Sequence, residues 1–468
     1  MMLRKIILIV SFLFNLNAHA ELSNKAVFHR CYKQITQTFP TYNNTLMTQV
    51  SAGTKDPIAA CLEVLDKAQF TANGDKRIAD VNDQEAKDVL RTMQSLHHSW
   101  LHNKSLPNTN IEQNEDMMNI VDYNGPSLFF TKALFDYNYV FKDIFTGNTN
   151  HLESDRTDNN PEISPLDRLA KNLGPNGITF PFENTSYEYA AKGELLGVRE
   201  FQSKSFFTHP LAIFGRKEIN LAYHRGGGVM GTNTYLMANA GENGSYLPNG
   251  GVKMFRKWSV AVFDDFLCRE MPAVRFEDST AFTDATSEVS FRKQTGCVRC
   301  HVTMDRASSV IRNVRSLAAS RGGGYRRIAY LGTWDTTKAA VTGWPATAEY
   351  SFFQRATTGH FYFRTHDGNL IDIPLENLNA MGQVIQNIDA PYICAAKRYY
   401  QYFTGIKVSV DDIADPQIGY TLNDKELAHR DEVIQLGLQL KQHQSLRQLI
   451  EQILRKPQFK HEGYEIVN

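Results

Sequence analysis

The stretch FRKQTGCVRCHVTMD, residues 291–305, contains the pattern Cys-x-x-Cys-His, formed by Cys297, Cys300 and His301. This is the pattern at which c-type haem is attached to a protein chain. Two thiols form thioether bonds to the porphyrin vinyl groups, and the adjacent histidine supplies an imidazole to the iron. Two intervening residues let the turn that opens a helix present both sulfurs to one edge of the ring. The stretch therefore predicts a helix that carries one covalent haem c, with His301 as the proximal iron ligand.

Two other uses of a cysteine pair fit the sequence less well. A zinc site would need a second Cys-x-x-Cys or a histidine pair a short distance away. The histidine pair with four-residue spacing, His98 and His102, lies far upstream. These two histidines could share a helix face and hold a metal, although the helix dipole alone also favours histidines near a helix C-terminus. A thioredoxin-like pair would lie in a small α/β domain and needs no histidine.

The first twenty residues have the composition of an export signal. A short basic segment, Met1–Lys5, precedes an apolar run, Ile6–Leu16, which is too short to span a bilayer as a stable anchor. The small-x-small pattern that ends at Ala20 predicts cleavage before Glu21. We expect a periplasmic or otherwise exported mature chain without a transmembrane segment. Covalent haem attachment takes place outside the bacterial cytoplasm, so export and the motif support each other.

Composition sets broad limits on partners and size. The chain has 50 Lys and Arg against 50 Asp and Glu, so its formal net charge gives no reason to expect nucleic acid or an anionic membrane as a partner. A length of 468 residues is enough for two or three domains.

All six cysteines follow the predicted signal. If haem takes two of them, four remain in an oxidising compartment, where an even number favours disulfides. Four cysteines allow three connectivities, and free buried thiols are the alternative. We favour Cys31 with Cys61 and Cys268 with Cys394, because each pair then lies within one predicted domain. The second bridge would close a loop that contains the haem motif.

Apolar periodicity predicts a mainly α protein. After the signal, we expect a helical N-terminal domain at 21–147, a linker and irregular region at 148–225, and a helical, cytochrome-c-like haem domain at 226–468. A strongly apolar helix is predicted at 126–146. Further helices are predicted at 59–70, 84–100, 252–268, 377–388, 391–404, 424–441 and 445–456.

In one segment of the predicted haem domain, the spacing of the apolar residues is typical of strands rather than of helices. Residues 348–375 contain aromatic and β-branched runs on both sides of Asp367-Gly368. Such runs around an Asp-Gly turn predict a small β-hairpin or meander.

Several stretches together resemble a family of large exported proteins of unknown function. Members of this planctomycete and myxobacterial type carry a single cytochrome-c-type Cys-x-x-Cys-His. The first similar stretch is the predicted helix at 126–146, which ends in F-x-D-I-F-T. The others are GGGVMGTNTYL at 226–236, MFRKWSVAVFDDFLCREMP at 254–272, and the stretches 291–305, 388–405 and 445–459. In the family an aspartate follows shortly after the histidine, which corresponds here to Asp305. This chain then has Arg306-Ala307-Ser308 where the family continues with proline and glycine. The resemblance implies an exported haem-binding protein, without a defined activity.

The ligand on the opposite face of the iron decides what such a site does. We expect Met381, which lies late in the chain at the start of a predicted helix, as the distal ligand. The other candidates are His360 and His366 on the predicted hairpin, and Met271 and Met230 before the motif.

The function that these observations favour is one-electron transfer through one covalent haem, with an unidentified periplasmic redox partner. The first alternative is a haem enzyme or ligand sensor with an open distal position. The second is a surface interaction protein in which haem is structural. The sequence contains neither a G-x-S-x-G elbow nor an H-E-x-x-H motif, so an electron carrier is favoured over a catalyst.

Overall fold

The computed structural model describes residues 21–71, 76–101, 125–153, 197–201, 219–221, 226–239, 254–287, 290–311, 314–319, 325–331 and 358–461. The predicted signal at 1–20, His102 and most of the predicted linker at 148–225 lie outside these ranges.

The described part of the chain is mainly α-helical, which confirms the predicted fold class. The N-terminal helices are α1 (Asn24–Thr36), α2 (Thr45–Ser51), α3 (Pro57–Asp66), α4 (Gln84–Leu101) and α5 (Gly125–Phe135). The central helices are α6 (Asn233–Ala238), α7 (Met254–Leu267), α8 (Phe276–Thr280) and α9 (Thr295–Ser308). The C-terminal helices are α10 (Leu378–Asn387), α11 (Ala390–Thr404), α12 (Asp424–His443), α13 (Leu446–Leu454) and α14 (Pro457–Lys460).

Local capping explains where several of these helices begin. The Asp56 carboxylate accepts a hydrogen bond from the Ala59 N–H at the start of α3. At the start of α12 the Asn423 side chain accepts from Glu426 N–H, and the Glu426 carboxylate accepts from Asn423 N–H in return. This reciprocal capping box satisfies donors that the first turn of a helix leaves without partners.

The N-terminal and C-terminal helices bury their apolar faces in one continuous core. His97 on α4 shows how closely the two ends of the chain pack. Its Nδ1 lies 3.0 Å from Thr131 Oγ1 on α5, and its Nε2 lies 2.6 Å from Tyr399 Oη on α11. The helices of the predicted N-terminal domain at 21–147 and those of the predicted haem domain at 226–468 therefore share a core.

Helices α11 and α12 cross closely at Gly437. A Cβ atom at Gly437 would lie 2.5 Å from Ile393 Cα. Because Gly437 has no side chain, the two backbones can approach each other closely at this point. The larger side chains on either side of it can then pack against the facing helix.

Most of the apolar segment 126–146 is buried, with Tyr137 76% exposed, but the prediction of one continuous helix there is wrong. Helix α5 ends at Phe135, and a separate 3-10 helix covers Phe141–Phe145. Asp136 ends the helix because its carboxylate accepts a hydrogen bond from the Asn138 N–H at 3.0 Å. Such a local side-chain bond offers the backbone an alternative to the helical hydrogen bond.

The predicted hairpin is confirmed at the C-terminal end of the predicted β segment. Strands β7 (Gly359–Arg364) and β8 (Leu370–Leu375) pair antiparallel, with Gly359 opposite Leu375. Gly368 in the connecting turn has a φ of 78°, which glycine adopts without strain.

Two three-stranded sheets add to what the pattern predicts. The first has the order β1 (Lys76–Arg77), β3 (Gly197–Phe201), β2 (Asn150–Glu153). The second has the order β4 (Ile219–Leu221), β6 (Tyr325–Leu331), β5 (Val314–Ala319). Most of these pairings join segments that are far apart in sequence, which a local pattern does not reveal.

Both predicted disulfides are present. Cys31 bonds to Cys61 with a Cα–Cα distance of 6.1 Å, and Cys268 bonds to Cys394 with a Cα–Cα distance of 5.2 Å. Among the helices of the described ranges, none combines the length and the apolar composition that crossing a bilayer requires.

Candidate haem-binding site

The motif lies in the first two turns of α9, so the cysteines and the histidine are brought together on a regular helix. Cys297, Cys300 and His301 stand at positions i, i+3 and i+4, which share one helix face. Cys297 is exposed, and Cys300 and His301 are half-buried. Met304, one turn further, continues the same half-buried stripe. We call this side of α9, with the exposed Cys297 and the half-buried Cys300 and His301, the open face of the helix.

The opposite side of α9 is fixed to the protein by apolar packing. Val298 and Val302 are fully buried in a small cluster with Val274 and Tyr362, and Phe282 packs against it. Tyr362 belongs to β7, so the predicted hairpin forms part of the wall behind the motif helix. A valine at the first position between the two cysteines thus anchors the motif.

Arg299, the second residue between the cysteines, forms a polar anchor. Its side chain is only 10% exposed, and its Nη2 donates to the Asp415 carboxylate at 2.9 Å. Nη2 also donates to the Val274 carbonyl oxygen at 2.9 Å, and Nη1 donates to the Gln417 side chain. A buried guanidinium with several partners holds α9 in one rotation about its axis, which sets the direction of the thiols.

His301 has a defined hydrogen bond on one ring nitrogen. Its Nδ1 lies 2.9 Å from Asp305 Oδ2, one turn along α9. Burial alone would raise the pKa of Asp305, but the hydrogen bond with His301 and the charge of Arg256 lower this pKa below its ordinary value. An ionised carboxylate only accepts hydrogen bonds, so Nδ1 carries the proton. In the neutral imidazole the lone pair is then on Nε2, to which none of the described residues donates.

Arg256 on α7 holds the other side of the Asp305 carboxylate. Its Nε donates to Oδ1 at 2.7 Å and its Nη2 donates to Oδ2 at 3.3 Å. The Asp305 side chain is 8% exposed, whereas that of Arg256 is 46% exposed. The two-point contact fixes the plane of the carboxylate that His301 meets.

Phe291 completes the surroundings of the imidazole. The rings of Phe291 and His301 stack with centroids 3.9 Å apart and planes 10° from parallel. The Arg256 guanidinium carbon lies 5.6 Å from the centre of the Phe291 ring. His301, Asp305, Arg256 and Phe291 therefore form a closed ring of contacts, which we call the histidine clamp.

A second polar cluster lies at the C-terminal end of α9. The Arg306 guanidinium stands between the rings of Phe282 and Tyr362, at 5.4 Å and 4.6 Å from their centres. Its Nη2 donates to Asp372 Oδ1 at 3.3 Å. The same carboxylate oxygen lies 3.1 Å from Nδ1 of His360, one of the distal candidates. This cluster ties the hairpin to α9.

The proposed distal ligand lies in the large core. Met381 on α10 is 0% exposed and belongs to the main core, whereas Val298 and Val302 of the motif helix belong to the separate small cluster. Its sulfur would have to leave the core to meet an iron on the open side of α9. Met381 stays a prediction as distal ligand, and Met230, also 0% exposed, is equally enclosed.

The cysteines divide into two chemical groups. All six lie in the described part of the chain, where four form the two disulfides and Cys297 and Cys300 are free thiols. Burial raises the pKa of the Cys300 thiol, an effect that the positive charge of Arg299 partly offsets. In the described ranges, no three His, Cys, Asp or Glu side chains form a group that could hold a metal ion by themselves.

The histidine clamp was only partly visible in the sequence. The i, i+4 spacing of His301 and Asp305 places them on one helix face and could have signalled their hydrogen bond. Arg256 is 49 residues before Asp305 in the chain, and no local pattern links the two. Comparison of the chain with protein-family models, with curated proteins and with solved structures finds no match. The family resemblance stays a prediction from the quoted stretches, and function is argued from the geometry of the site.

Proposed function

We propose that this protein is an exported monohaem c-type cytochrome-like protein that transfers single electrons. One observation carries the proposal. The two free thiols, Cys297 and Cys300, share the open face of α9 with a histidine whose Nδ1 is already occupied by Asp305. This leaves Nε2 of His301 as the available nitrogen, and a metal-bound histidine commonly uses its other nitrogen for such a carboxylate contact.

The chemistry of attachment fits these side chains. Each thiol adds across one vinyl C=C bond of the porphyrin, with sulfur bonding one carbon and the thiol hydrogen moving to the other. The addition consumes no oxidant or reductant, but it requires both thiols in reduced form. Cys297 and Cys300 would hold the haem covalently, and His301 would provide the proximal nitrogen. When bound, the haem supplies a one-electron redox centre.

The chain itself would contribute rigidity. Val298, Val302 and Arg299 fix α9 from behind, and the Cys268–Cys394 bridge ties the end of α7 to α11. When the charge of the haem changes by one electron, few of these fixed protein groups can move in response. The structural rearrangement that accompanies electron transfer would therefore be small. An unidentified exported redox protein would be the partner.

Export is part of the proposal and has its own support. The predicted signal at 1–20 would place the chain in an oxidising compartment, and the two disulfides are the kind of bond that forms there. The same compartment is the one in which c-type haem is attached.

The test is expression of the full chain in a bacterial host with and without its haem c maturation system. We expect the wild-type chain to keep haem through a denaturing gel and to show the absorbance bands of reduced haem c. The Cys297→Ala/Cys300→Ala variant should lose both signals while it keeps its far-ultraviolet circular dichroism. Gly296→Ala is the matched control, because a Cβ there meets nothing within 4 Å, and it should retain haem.

The same preparation separates the alternatives. A large spectral response of the reduced protein to carbon monoxide would favour a haem enzyme or sensor with an open distal position over an electron carrier. Loss of fold in the double cysteine variant would favour a structural haem. A wild-type chain without covalent haem, with Cys297 and Cys300 joined in a disulfide, would overturn the proposal.

A further inference from the structure

We propose that Asp305, held in place by Arg256, is a positioning residue that strengthens His301 as an iron ligand and lowers the reduction potential of the haem. This inference rests on the proposed function and concerns how that site is set. The Asp305 carboxylate bonds to His301 and Arg256, and it would act on the haem only through His301.

The first step is the acceptor on Nδ1. The histidine donates to a carboxylate, Asp305 Oδ2, at 2.9 Å rather than to a neutral carbonyl oxygen. A charged acceptor withdraws the Nδ1 proton more strongly and leaves more electron density on Nε2. A more basic imidazole stabilises the higher charge state of a metal, so the one-electron potential falls.

The second step is the low exposure of this contact. The side chains of His301 and Asp305 are 16% and 8% exposed, so little water competes with the hydrogen bond between them. Hydrogen bonds in such surroundings are electrostatically stronger than those in water. An exposed aspartate at the same spacing would have a weaker effect.

The third step is orientation. Arg256 contacts both oxygens of Asp305, at 2.7 Å and 3.3 Å, and so fixes the carboxylate plane. Phe291 stacks on the imidazole and fixes the plane of the ring. Both partners of the Nδ1 hydrogen bond are therefore held in place before anything binds at Nε2.

A matched pair elsewhere in the chain provides the control. Arg275 donates to both oxygens of Asp412, at 2.7 Å and 2.9 Å, and none of the described histidines hydrogen-bonds to that pair. Asp412→Asn removes the same kind of charge from the same kind of arginine contact. The two asparagine substitutions thus differ in whether the lost carboxylate accepts from the predicted iron ligand.

The experiment is a potentiometric titration of the haem-loaded full chain as wild type, Asp305→Asn, Asp305→Glu and Asp412→Asn. We expect Asp305→Asn to raise the midpoint potential by an amount equal to at least a tenfold change in the one-electron equilibrium, about 59 mV. Asp305→Glu should recover part of the shift, and Asp412→Asn should leave the potential unchanged. An Asp305→Asn protein that carries haem and has the wild-type potential would overturn the inference.

A second measurement needs no haem and covers the case in which Asp305→Asn does not fold. In the wild-type chain without haem, ¹⁵N chemical shifts of labelled histidine report which ring nitrogen of His301 carries the proton. His301→Gln identifies the signal. A proton on Nδ1 supports the inference, and a neutral ring with its proton on Nε2 overturns it. Absence of covalent haem from the wild type would defeat the proposed function but leave this result readable.

Discussion

Removal of the Cys268–Cys394 bridge should cost more stability than removal of the Cys31–Cys61 bridge, and the difference follows from the structure. The two bridges join residues separated by 126 and 30 positions. In the chain-entropy description, a cross-link lowers the entropy of the unfolded chain by a constant plus an amount that grows with the logarithm of the loop length. At 25 °C this gives about 4.9 kcal/mol for the longer loop and about 3.6 kcal/mol for the shorter one.

The expected difference of about 1.3 kcal/mol is one and a half RT times the logarithm of the ratio of the two separations. The variants are Cys268→Ala/Cys394→Ala and Cys31→Ala/Cys61→Ala, so that neither leaves an unpaired partner. Both bridges lie beside the same continuous core, and each variant serves as the control for the other. The assay is urea unfolding followed by circular dichroism, with the slopes compared to establish that both variants unfold in the same way.

The reasoning would be refuted if the Cys31→Ala/Cys61→Ala variant lost as much stability as Cys268→Ala/Cys394→Ala, or more, at equal slopes. Such a result would mean that contacts in the folded state, rather than freedom of the unfolded chain, decide the contribution of each bridge. The 126-residue loop contains the Cys-x-x-Cys-His motif. Haem staining of the same variants would then show whether its closure also matters for attachment.

Three further predictions concern packing, anchoring and pH. Arg299→Ala should destabilise the protein by about 1–3 kcal/mol in urea unfolding, because it removes the guanidinium donor that the half-buried Asp415 carboxylate and the Val274 carbonyl oxygen share. Gly437→Ala should cost about 1–3 kcal/mol from overpacking between helices, whereas Gly296→Ala should cost nothing in the same assay. Burial lowers the pKa of His97 to about 3 from 6.5, so its contribution to stability is complete above pH 6.5 and is lost as the pH falls towards 3. The loss should reach about 2 kcal/mol at pH 5, and His97→Asn should flatten this part of the stability curve, while an equal slope in the variant would contradict the assignment.

Elements with strong periodicity and local end signals were predictable. The helix predicted at 424–441 is observed at Asp424–His443, and that predicted at 84–100 is observed at Gln84–Leu101. Asp367-Gly368 marked the hairpin because its turn requires a residue that tolerates positive φ. In each case the information lies within a few residues of the feature.

Elements that depend on distant partners were not predictable. Strand β3 pairs with both β1 and β2, and nothing near Gly197–Phe201 in the sequence indicates either partner. In the site, the motif identified Cys297, Cys300 and His301. Arg256 was missed because its role depends on how α7 packs against α9. A sequence pattern shows only how residues are spaced along the chain, whereas the histidine clamp forms where α7 contacts α9.

The formation of the disulfide between Cys268 and Cys394 depends on the order in which the cysteines become available. A chain that crosses a membrane N-terminus first presents Cys268 to oxidants while its partner, 126 residues later, has not yet emerged. Under the proposed function, the next thiols to arrive are Cys297 and Cys300, which would have to stay reduced for attachment to haem. Maturation would then depend on relative rates, because haem attachment at the motif would have to precede the pairing of Cys268 with Cys297 or Cys300.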